Sequence, residues 1–327
     1  MKNNFWRNKN VLITGYEGFL GSHLTETLIG YGANVVGLDI VTHRGHTILS
    51  DEDLDKIKII KGSVEKISLV ERIIKENKIE FIFHLAAKAL VGECLQDPIK
   101  AFSTNIKGTW NILEASRSND TIKAIIIASS DKAYGIQSEL PYKETSPLAG
   151  CHPYDVSKSC ADLLAYTYFH TYGLPVCITR CGNIFGPGDF NFSRIVPDTI
   201  RSAIRNKTLI IRSDGKFTRD YVYIEDIVLG YLDLAKKVTK LKFFGEAFNF
   251  SNEKPISVLE LVKTIYGLMG KKPAYKVLGV EKYEIRHQYL TSSKAKRILN
   301  WKPRYSLKQG LKETIEWYKE YFQDDKK

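Results

Sequence analysis

Short apolar runs alternate with helical patterns through the first half of the chain, and this alternation limits the possible folds more than any other feature. The six runs are VLIT, NVVGLD, IKII, FIFHLA, AIIIASS and VCITRC, beginning at Val11, Asn34, Ile57, Phe81, Ala124 and Val176. Strands so uniformly apolar are buried on both faces, which is typical of a parallel sheet with helices on each side. The sequence therefore predicts an α/β fold with a doubly wound parallel sheet.

Two of the intervening helices are marked by their ends. One opens at Asp97-Pro98, with aspartate as N-cap and proline at the first helical position, and runs to about Ser118. Another runs from about Pro153 to Tyr172 and stops at Gly173, which is a common terminator.

The composition changes after Cys181, where the stretch GNIFGPGDFNFSR interrupts the regular alternation. We expect a first domain over residues 1–181 and a smaller mixed α/β substrate-binding domain over most of residues 182–327. Later elements include a helix near 195–206, the short strands LIIR, RDYVYI and FNFS, a helix opened by the capping box at Ser257, and a C-terminal helix from Ser306. Residues 225–251 again read as an α/β pair, so we expect them to return to the first domain.

Composition excludes several classes of protein. The chain has 327 residues, 43% of them hydrophobic, which is enough for a sizeable core. Its five cysteines form no CxxC pair, so neither a disulfide framework nor a metal site is expected. The net charge of +11 favours anionic partners, but the lysines are spread along helical segments, which argues against nucleic-acid binding. The first apolar stretch is too short for a membrane span, so we expect a cytoplasmic protein.

A glycine-rich loop follows the first predicted strand directly. In GYEGFLG, Gly15, Gly18 and Gly21 are spaced three apart at the start of a helix, where backbone N–H groups approach a pyrophosphate. Asp39 ends the second strand at the offset expected of a carboxylate that accepts from the adenosine ribose. Such a carboxylate favours NAD over NADP, although Arg44 is able to pair with a 2′-phosphate. The loop and strands together predict the Rossmann arrangement of a dinucleotide-binding domain.

Two groups of polar residues predict a catalytic site. The stretch SSDKAYG follows the fifth strand, at the carboxyl end where open α/β sheets place their ligands. The second group is the YxxxK of Tyr154 and Lys158, whose spacing of four puts both side chains on one helix face. The lysine cation can lower the pKa of the tyrosine toward that of a working base.

These motifs together resemble the extended short-chain dehydrogenase/reductases, the NAD-dependent epimerase/dehydratase family that modifies nucleotide sugars. The matching runs cover almost the whole chain and are GYEGFLG, HLAA, NIKGTWNILEA, SSDKAYG, YDVSK, RCGNIFGPGD and RDYVYIED. Members of the family commonly dimerise by packing two helices per subunit into a four-helix bundle. Here the resemblance implies a homodimer through the helices containing 105–118 and 154–172.

The resemblance also implies ligands and the residues that hold them. The cofactor is NAD and the partner is a nucleotide-diphosphate sugar. The implied NAD-binding residues are Gly15, Gly18, Phe19, Leu20, Gly21, Asp39, Leu85, Ala86, Ala87, Asn105, Ser129, Tyr154 and Lys158. The implied substrate-binding residues are Lys88, Asn183, Arg194, Arg219 and Arg286, of which Arg286 lies in a stretch that departs from the usual pattern.

Within the family, the residues after the serine pair separate two chemistries. Epimerases usually carry a small hydroxyl residue where this chain has Asp131, whereas 4,6-dehydratases have an acid that protonates the leaving C-6 hydroxyl. The pair Asp131-Lys132 resembles the CDP-glucose 4,6-dehydratase branch. Ser130, Asp131, Lys132, Tyr154 and Lys158 are thus the implied catalytic residues. Lys132 is either a neutral base for the C-5 proton or a cation that stabilises the enolate while another group is the base.

Three functions follow from these observations. The first is a nucleotide-sugar 4,6-dehydratase, the second is a 4-epimerase on the same scaffold, and the third is a non-catalytic NAD-binding protein. Asp131 favours the first over the second. Ser130, Tyr154 and Lys158 argue against the third, because a protein that only senses a dinucleotide has no need of them.

Overall fold

The structure is a computed structural model that describes residues 5–43, 45–280 and 285–324. In chain order, the first half contains β1 (Asn10–Thr14), α1 (Phe19–Gly30), β2 (Asn34–Asp39), α2 (Asp51–Asp55), β3 (Lys58–Lys61), α3 (Ile67–Glu76), β4 (Phe81–His84), α4 (Val91–Gln96), α5 (Pro98–Phe102), a π-helical turn (Ser103–Lys107), α6 (Gly108–Arg117), β5 (Ala124–Ala128), a 3₁₀ turn (Asp131–Tyr134) and α7 (Pro153–Tyr172).

The second half begins with β6 (Val176–Cys181), β7 (Asn183–Phe185), α8 (Ile195–Ile204), β8 (Leu209–Ile211), β9 (Thr218–Arg219), β10 (Tyr221–Tyr223) and α9 (Ile224–Leu241). It continues through β11 (Ala247–Phe250), β12 (Ile256–Ser257), α10 (Val258–Leu268), β13 (Tyr275–Val277), β14 (His287–Gln288), α11 (Ser293–Leu299) and α12 (Leu307–Asp324).

A seven-stranded parallel sheet forms the centre of the molecule, in the order β11-β6-β5-β4-β1-β2-β3. All six strands predicted from the apolar runs are in it, which confirms the doubly wound fold. Successive residues of β1 enter different cores, because Val11 and Ile13 pack on one face and Leu12 packs on the other. The strands are uniformly apolar because both of these faces are covered by helices.

Strand β11 contains the first three residues of the predicted FNFS run and pairs with β6 at the edge of the central sheet. Its register places Ala247 beside Ile178 and Phe250 beside Cys181. The chain thus comes back to the central sheet after the smaller sheets have begun. The division into residues 1–181 with 225–251 and residues 182–327 stays a prediction.

The run RDYVYI was predicted as one strand, and the structure contains two. Strand β9 lies between β12 and β14, whereas β10 pairs with β7 in a different sheet. The buried residue Asp220 separates them, and its carbonyl accepts a hydrogen bond from the Asn183 N–H at 2.8 Å. The chain therefore changes partners at Asp220, which the apolar pattern alone does not reveal.

The two helices with marked ends have the predicted bounds. Helix α7 covers Pro153–Tyr172, and Gly173 ends it in the left-handed conformation with φ 68°. The segment from Pro98 to Arg117, capped by the Asp97 side chain, is helical throughout but includes a π-helical turn over Ser103–Lys107, which the periodicity did not predict. Such turns occur often at functional sites, and this one contains Asn105. Among the helices that the structure describes, none combines the length and apolarity needed to cross a bilayer.

The glycine loop is shaped by backbone contacts too close for any side chain. Gly15 has φ +74°, and a Cβ atom at Gly21 would lie 2.0 Å from the Gly15 carbonyl oxygen. The first turn of α1 therefore sits directly on the loop. At the other end of the same helix, a Cβ at Gly30 would meet nothing within 4 Å.

This difference predicts opposite effects for the same substitution at the two ends of α1. Gly21→Ala should lower the free energy of unfolding by about 1–3 kcal/mol, because the loop must move to admit the methyl group. Gly30→Ala should raise it by about 0.5–1 kcal/mol, because alanine favours the helix and fits the space. Urea denaturation of both variants measures the two changes. Equal stability of the two variants would contradict this description of the loop.

Candidate active site

The glycine loop forms an anion cradle at the carboxyl end of β1. The Gly15 N–H donates to the Leu38 carbonyl at 2.8 Å, and the Gly18 N–H donates to the Gly15 carbonyl at 3.0 Å. Gly18 is the N-cap of α1, and no described side chain caps the helix. The N–H groups of the first turn, which carries the half-buried Phe19 and Leu20, are thus directed toward the loop. This cradle fits the pyrophosphate of a dinucleotide.

Asp39 lies at the end of β2, next to the glycine loop. Its side chain is buried, and one carboxylate oxygen accepts from the Ile40 N–H at 2.7 Å. The position is the one expected of a carboxylate that accepts from a ribose hydroxyl. Arg44, the alternative partner for a 2′-phosphate, lies outside the described residues.

The segment after β4 passes close to the glycine loop. The Thr14 hydroxyl oxygen accepts from the N–H groups of Leu85 and Ala86, at 3.2 and 3.1 Å. A Cβ atom on Gly15 would lie 3.1 Å from the Ala86 nitrogen. Leu85, Ala86, Ala87 and Lys88 are half-buried, which places them along the rim of the cradle.

His84 belongs to the core. Its Nδ1 lies 2.8 Å from the Thr14 hydroxyl, and its Nε2 lies 3.1 Å from the Thr109 hydroxyl. Thr109 donates to the Asn105 carbonyl, so we assign the ring proton to Nε2. Burial, with a smaller effect from Lys158, lowers the pKa of His84 to about 3. The ring is therefore neutral and fully hydrogen-bonded.

Asn105 connects the cofactor side of the site to α7. Its amide nitrogen donates to the Lys88 carbonyl at 3.0 Å and to the Ser157 hydroxyl at 2.9 Å. Its amide oxygen accepts from the Lys88 N–H at 2.7 Å. The π-helical turn thus brings a buried amide to the segment after β4, which it holds in place.

Tyr154 and Lys158 lie on one face of α7, as their spacing predicted. The Lys158 ammonium donates to the Ala128 carbonyl at 2.7 Å, and its nitrogen is 5.8 Å from the centre of the Tyr154 ring. Burial lowers the pKa of Lys158 to about 8, and the nearby Asp162 opposes that shift. Burial also raises the pKa of Tyr154, while a hydrogen bond with Ser130 opposes the rise.

Asp131 is a buried carboxyl group beside this pair. Only 5% of the residue is exposed, and the Ser130 hydroxyl donates to its carboxyl oxygen at 3.0 Å. Burial raises the pKa of Asp131, and the charges of Lys132 and Arg219 oppose the rise. A carboxyl group in such surroundings is able to keep a proton and act as an acid.

Lys132 lies near two buried carboxyl groups, and sequence reasoning identified only Asp131. The second is Asp155, which is 2% exposed and has a buried Oδ1 with no hydrogen-bond partner among the described residues. Burial raises the pKa of Asp155, and the charges of Lys132 and His152 oppose that rise. The available signal was its place directly after Tyr154, because Asp155 lies in the first turn of the same helix.

Ser129, predicted to contact the cofactor, donates its hydroxyl to the carboxylate of Asp162. The other oxygen of Asp162 accepts from the Nε and Nη2 atoms of Arg180, at 3.0 and 2.8 Å. Sequence reasoning did not identify Asp162 as part of the site. The signal was its spacing, because it follows Lys158 by four residues, as Lys158 follows Tyr154.

The predicted substrate residues are not all in one place. Arg219 is 6% exposed, and its charge opposes the rise in the pKa of Asp131. The charge of Arg194 likewise opposes the rise in the pKa of Tyr154, and its guanidinium group pairs with Asp189 at 3.1 Å. Asn183 is exposed. Lys88 contacts Glu93 at 3.5 Å, and the side chain of Arg286 is 65% exposed and pairs with Asp214 at 2.6 Å. Of the five, Arg219 and Arg194 are therefore the ones whose charges reach Asp131 and Tyr154.

Comparison with known proteins agrees with this geometry. The family model described as GDP-mannose 4,6 dehydratase matches residues 12–314. The CDP-glucose 4,6-dehydratase of Salmonella typhimurium is 32% identical over 339 residues, which cover 98% of this chain and 94% of the relative. The match thus extends over the central sheet and the smaller sheets.

Solved structures of both reaction types have the same fold. The UDP-glucose 4-epimerase of Thermotoga maritima, solved with UDP-glucose, superimposes with a TM-score of 0.87 at 30% identity, covering 96% of this chain and 99% of that one. The dTDP-glucose 4,6-dehydratase of Bacillus anthracis, solved with NAD, gives a TM-score of 0.83 at 27% identity, covering 96% and 98%. The chain therefore belongs to the GDP-mannose 4,6-dehydratase family, whose NAD-dependent relatives are nucleotide-sugar dehydratases and epimerases.

Proposed function

We propose that this protein is a nucleotide-sugar 4,6-dehydratase that converts its substrate into a 4-keto-6-deoxy sugar nucleotide. The observation that carries the proposal is the buried carboxyl group of Asp131, next to Ser130 and beside the Tyr154–Lys158 pair. An elimination of water needs an acid for the leaving hydroxyl group, whereas an epimerisation at C-4 does not.

The cofactor side of the proposed site uses the glycine cradle and the strand ends. Gly15, Gly18, Gly21, Phe19 and Leu20 would hold the pyrophosphate, and Asp39 would accept from the adenosine ribose. Leu85, Ala86 and Ala87, held by Thr14 and Asn105, would border the nicotinamide half. NAD, when bound there, supplies the hydride acceptor and later the hydride donor.

Tyr154 is the base of the first step in this proposal. Its phenolate oxygen takes the proton of the C-4 hydroxyl as the C-4 hydride leaves, so that C-4 becomes a ketone. The Lys158 ammonium, fixed by the Ala128 carbonyl, stabilises the phenolate. The hydroxyl of Ser130 hydrogen-bonds Tyr154 and holds it in position.

Asp131 is the acid of the second step. The ketone acidifies the C-5 proton, and loss of that proton gives an enolate. The C-6 to oxygen bond then breaks, the carboxyl proton of Asp131 passes to the leaving hydroxyl, and water departs. Hydride returns to C-6 and a proton returns to C-5, so the cycle involves no net oxidation.

Lys132 has the two roles that the sequence left open. It is the C-5 base if its amine is neutral, or it stabilises the enolate as a cation. The buried carboxyl group of Asp155 favours the second role, because its carboxylate would be a base for the C-5 proton in place of Lys132.

Substrate binding is assigned in the same proposal to cationic and amide side chains. Arg219 and Arg194 lie nearest the catalytic groups and would bind the diphosphate, since guanidinium groups match phosphate geometry. Asn183, Lys88 and Arg286 would contribute from the edges of the site. The relatives are named for CDP-, dTDP- and UDP-linked sugars. Which nucleotide base the substrate of this protein carries is therefore a question for experiment.

A 4-epimerase is the second candidate, because an epimerase is among the structures most similar to this chain. Asp131 argues against it, since epimerisation only returns the hydride to the other face of C-4. A non-catalytic NAD-binding protein is the remote alternative, and the Ser130–Tyr154–Lys158 arrangement argues against it.

The proposal predicts different failures for two conservative variants. Asp131→Asn should still reduce bound NAD in a single turnover but should lose water about 10²–10⁴-fold more slowly, because the acid is absent. Tyr154→Phe should slow NAD reduction itself by a similar factor. Stopped-flow absorbance of reduced nicotinamide measures the first step, and mass spectrometry measures loss of water. Water loss at the wild-type rate in Asp131→Asn would overturn the assignment of the acid.

We also propose that the protein is a cytoplasmic homodimer built on α6 and α7. Large apolar side chains are exposed on these helices, with Trp110 at 52%, Leu163 at 55% and Tyr166 at 53%. Such side chains on neighbouring helices suit a four-helix interface with a second copy. The five cysteines are free, as expected of a protein in a reducing compartment.

The dimer proposal predicts that Leu163→Glu gives a single-chain species. Light scattering of the wild type should give about twice the chain mass of 37.2 kDa, and the variant should give about that mass. Leu241→Glu is the matched control, because Leu241 is 50% exposed at the end of α9. A wild type of single-chain mass, or a Leu163→Glu variant that stays associated, would contradict the proposed interface.

A further inference from the structure

Three polar side chains follow one another along a single face of α7. Tyr154, Lys158 and Asp162 are spaced four residues apart, so they lie one above another on the helix. The first two are the proposed catalytic pair. Asp162 is 2% exposed, and its charge raises the pKa of Lys158, against the effect of burial.

Asp162 is held by contacts from two strands. One carboxylate oxygen accepts from the Nε and Nη2 atoms of Arg180 on β6, at 3.0 and 2.8 Å. The other accepts from the hydroxyl of Ser129, directly after β5. These three hydrogen bonds fix the position of the carboxylate.

Arg180 is fixed in turn by groups from two further segments. Its Nη1 donates to the Tyr134 hydroxyl at 2.8 Å and to the Glu144 carbonyl at 3.2 Å. The Tyr134 hydroxyl donates to Asn249 on β11 at 2.7 Å. The carboxylate of Asp162 therefore belongs to a hydrogen-bond network that joins α7 to β6, to β11 and to the segment directly after β5.

The groups that face Lys158 differ in charge. Its ammonium donates to the neutral Ala128 carbonyl at the end of β5. His84 on β4 is neutral, because its pKa is lowered to about 3 by burial. On α4, burial raises the pKa of the Cys94 thiol, so this group is also neutral near pH 7. Burial raises the pKa of Tyr154, so before cofactor binds the tyrosine is uncharged, and the phenolate of the first step would form only beside Lys158 and bound NAD. The cation of Arg180 is paired with Asp162. Asp162 thus supplies a fixed negative charge next to a buried ammonium.

We propose that Asp162 is a positioning residue that keeps Lys158 protonated and thereby sets the upper pH limit of hydride transfer. The inference rests on the Tyr154–Lys158 step of the proposed function and is independent of the later loss of water. Ser129 accordingly acts through Asp162, in addition to any contact that it makes with the cofactor.

The direction of the effect follows from the charges. Burial disfavours the ammonium and lowers the pKa of Lys158 to about 8, while Asp162 acts in the opposite direction. Hydride transfer needs the ammonium form of Lys158, so the rate of hydride transfer falls as the pH rises through the pKa of this lysine. Without the carboxylate the ammonium is less stable, and the loss occurs at lower pH.

The experiment is the pH dependence of NAD reduction in a single turnover, followed by stopped-flow absorbance on the full chain loaded with NAD. CDP-glucose, GDP-mannose, dTDP-glucose and UDP-glucose are the probes, and the one that reduces NAD in the wild type is used throughout. Asp162→Asn should lower the midpoint of the alkaline limb by about one to two pH units. Asp162→Glu should keep the midpoint near the wild-type value.

Two further variants separate charge from folding. Asp162→Asn leaves Arg180 buried without its partner, so the double variant Asp162→Asn with Arg180→Met removes both charges. It should show the same downward shift. Arg180→Lys disturbs the hydrogen-bond geometry but keeps both charges, and its midpoint should stay near that of the wild type.

Each outcome decides one question. A lower midpoint in both variants that lack the carboxylate, but not in Asp162→Glu or Arg180→Lys, supports the inference. An unchanged midpoint with only a lower rate would make Asp162 a structural residue and overturn it. Absence of NAD reduction by wild type with every probe would contradict the proposed function instead.

Discussion

The hydrogen bond from Lys158 to the Ala128 carbonyl joins the two halves of the proposed catalytic site. It connects α7, which carries Tyr154, to the end of β5, where Ser130 and Asp131 follow. The proposed base and the proposed acid belong to segments more than twenty residues apart, and this contact sets their distance. Since the ammonium is buried, it needs this carbonyl and a nearby negative charge to remain protonated.

The parallel sheet brings the remaining groups to the same edge. The glycine loop follows β1, Asp39 ends β2, Leu85 follows β4, and Ser129 follows β5. All of these strands run in one direction, so their carboxyl ends lie together. Burial then gives each group its chemistry. It raises the pKa of Asp131, which suits an acid, and lowers the pKa of Lys158 to about 8.

Much of this could be predicted from the sequence, because the relevant signals are local. Uniform apolar runs identified the central strands, and the spacing of Tyr154 and Lys158 placed both on one helix face. The exchange of partners at Asp220 was missed, because a run of alternating residues does not show which sheet each half joins. The Asp162–Arg180 pair was missed since it depends on β6 lying under α7. Asp155 was missed for a similar reason, since it lies near the 3₁₀ turn over Asp131–Tyr134, which packs against α7.

The central claim is a redox-neutral elimination of water, and one labelling measurement tests it most directly. CDP-, GDP-, dTDP- and UDP-hexoses carrying deuterium at C-4 would be incubated with the protein and NAD, and the products examined by mass spectrometry and NMR. If the protein is a 4,6-dehydratase, one of these substrates loses one water and its deuterium moves from C-4 to C-6, without net reduction of NAD. Deuterium that returns to C-4 in a sugar of unchanged mass would show an epimerase and contradict the role of Asp131.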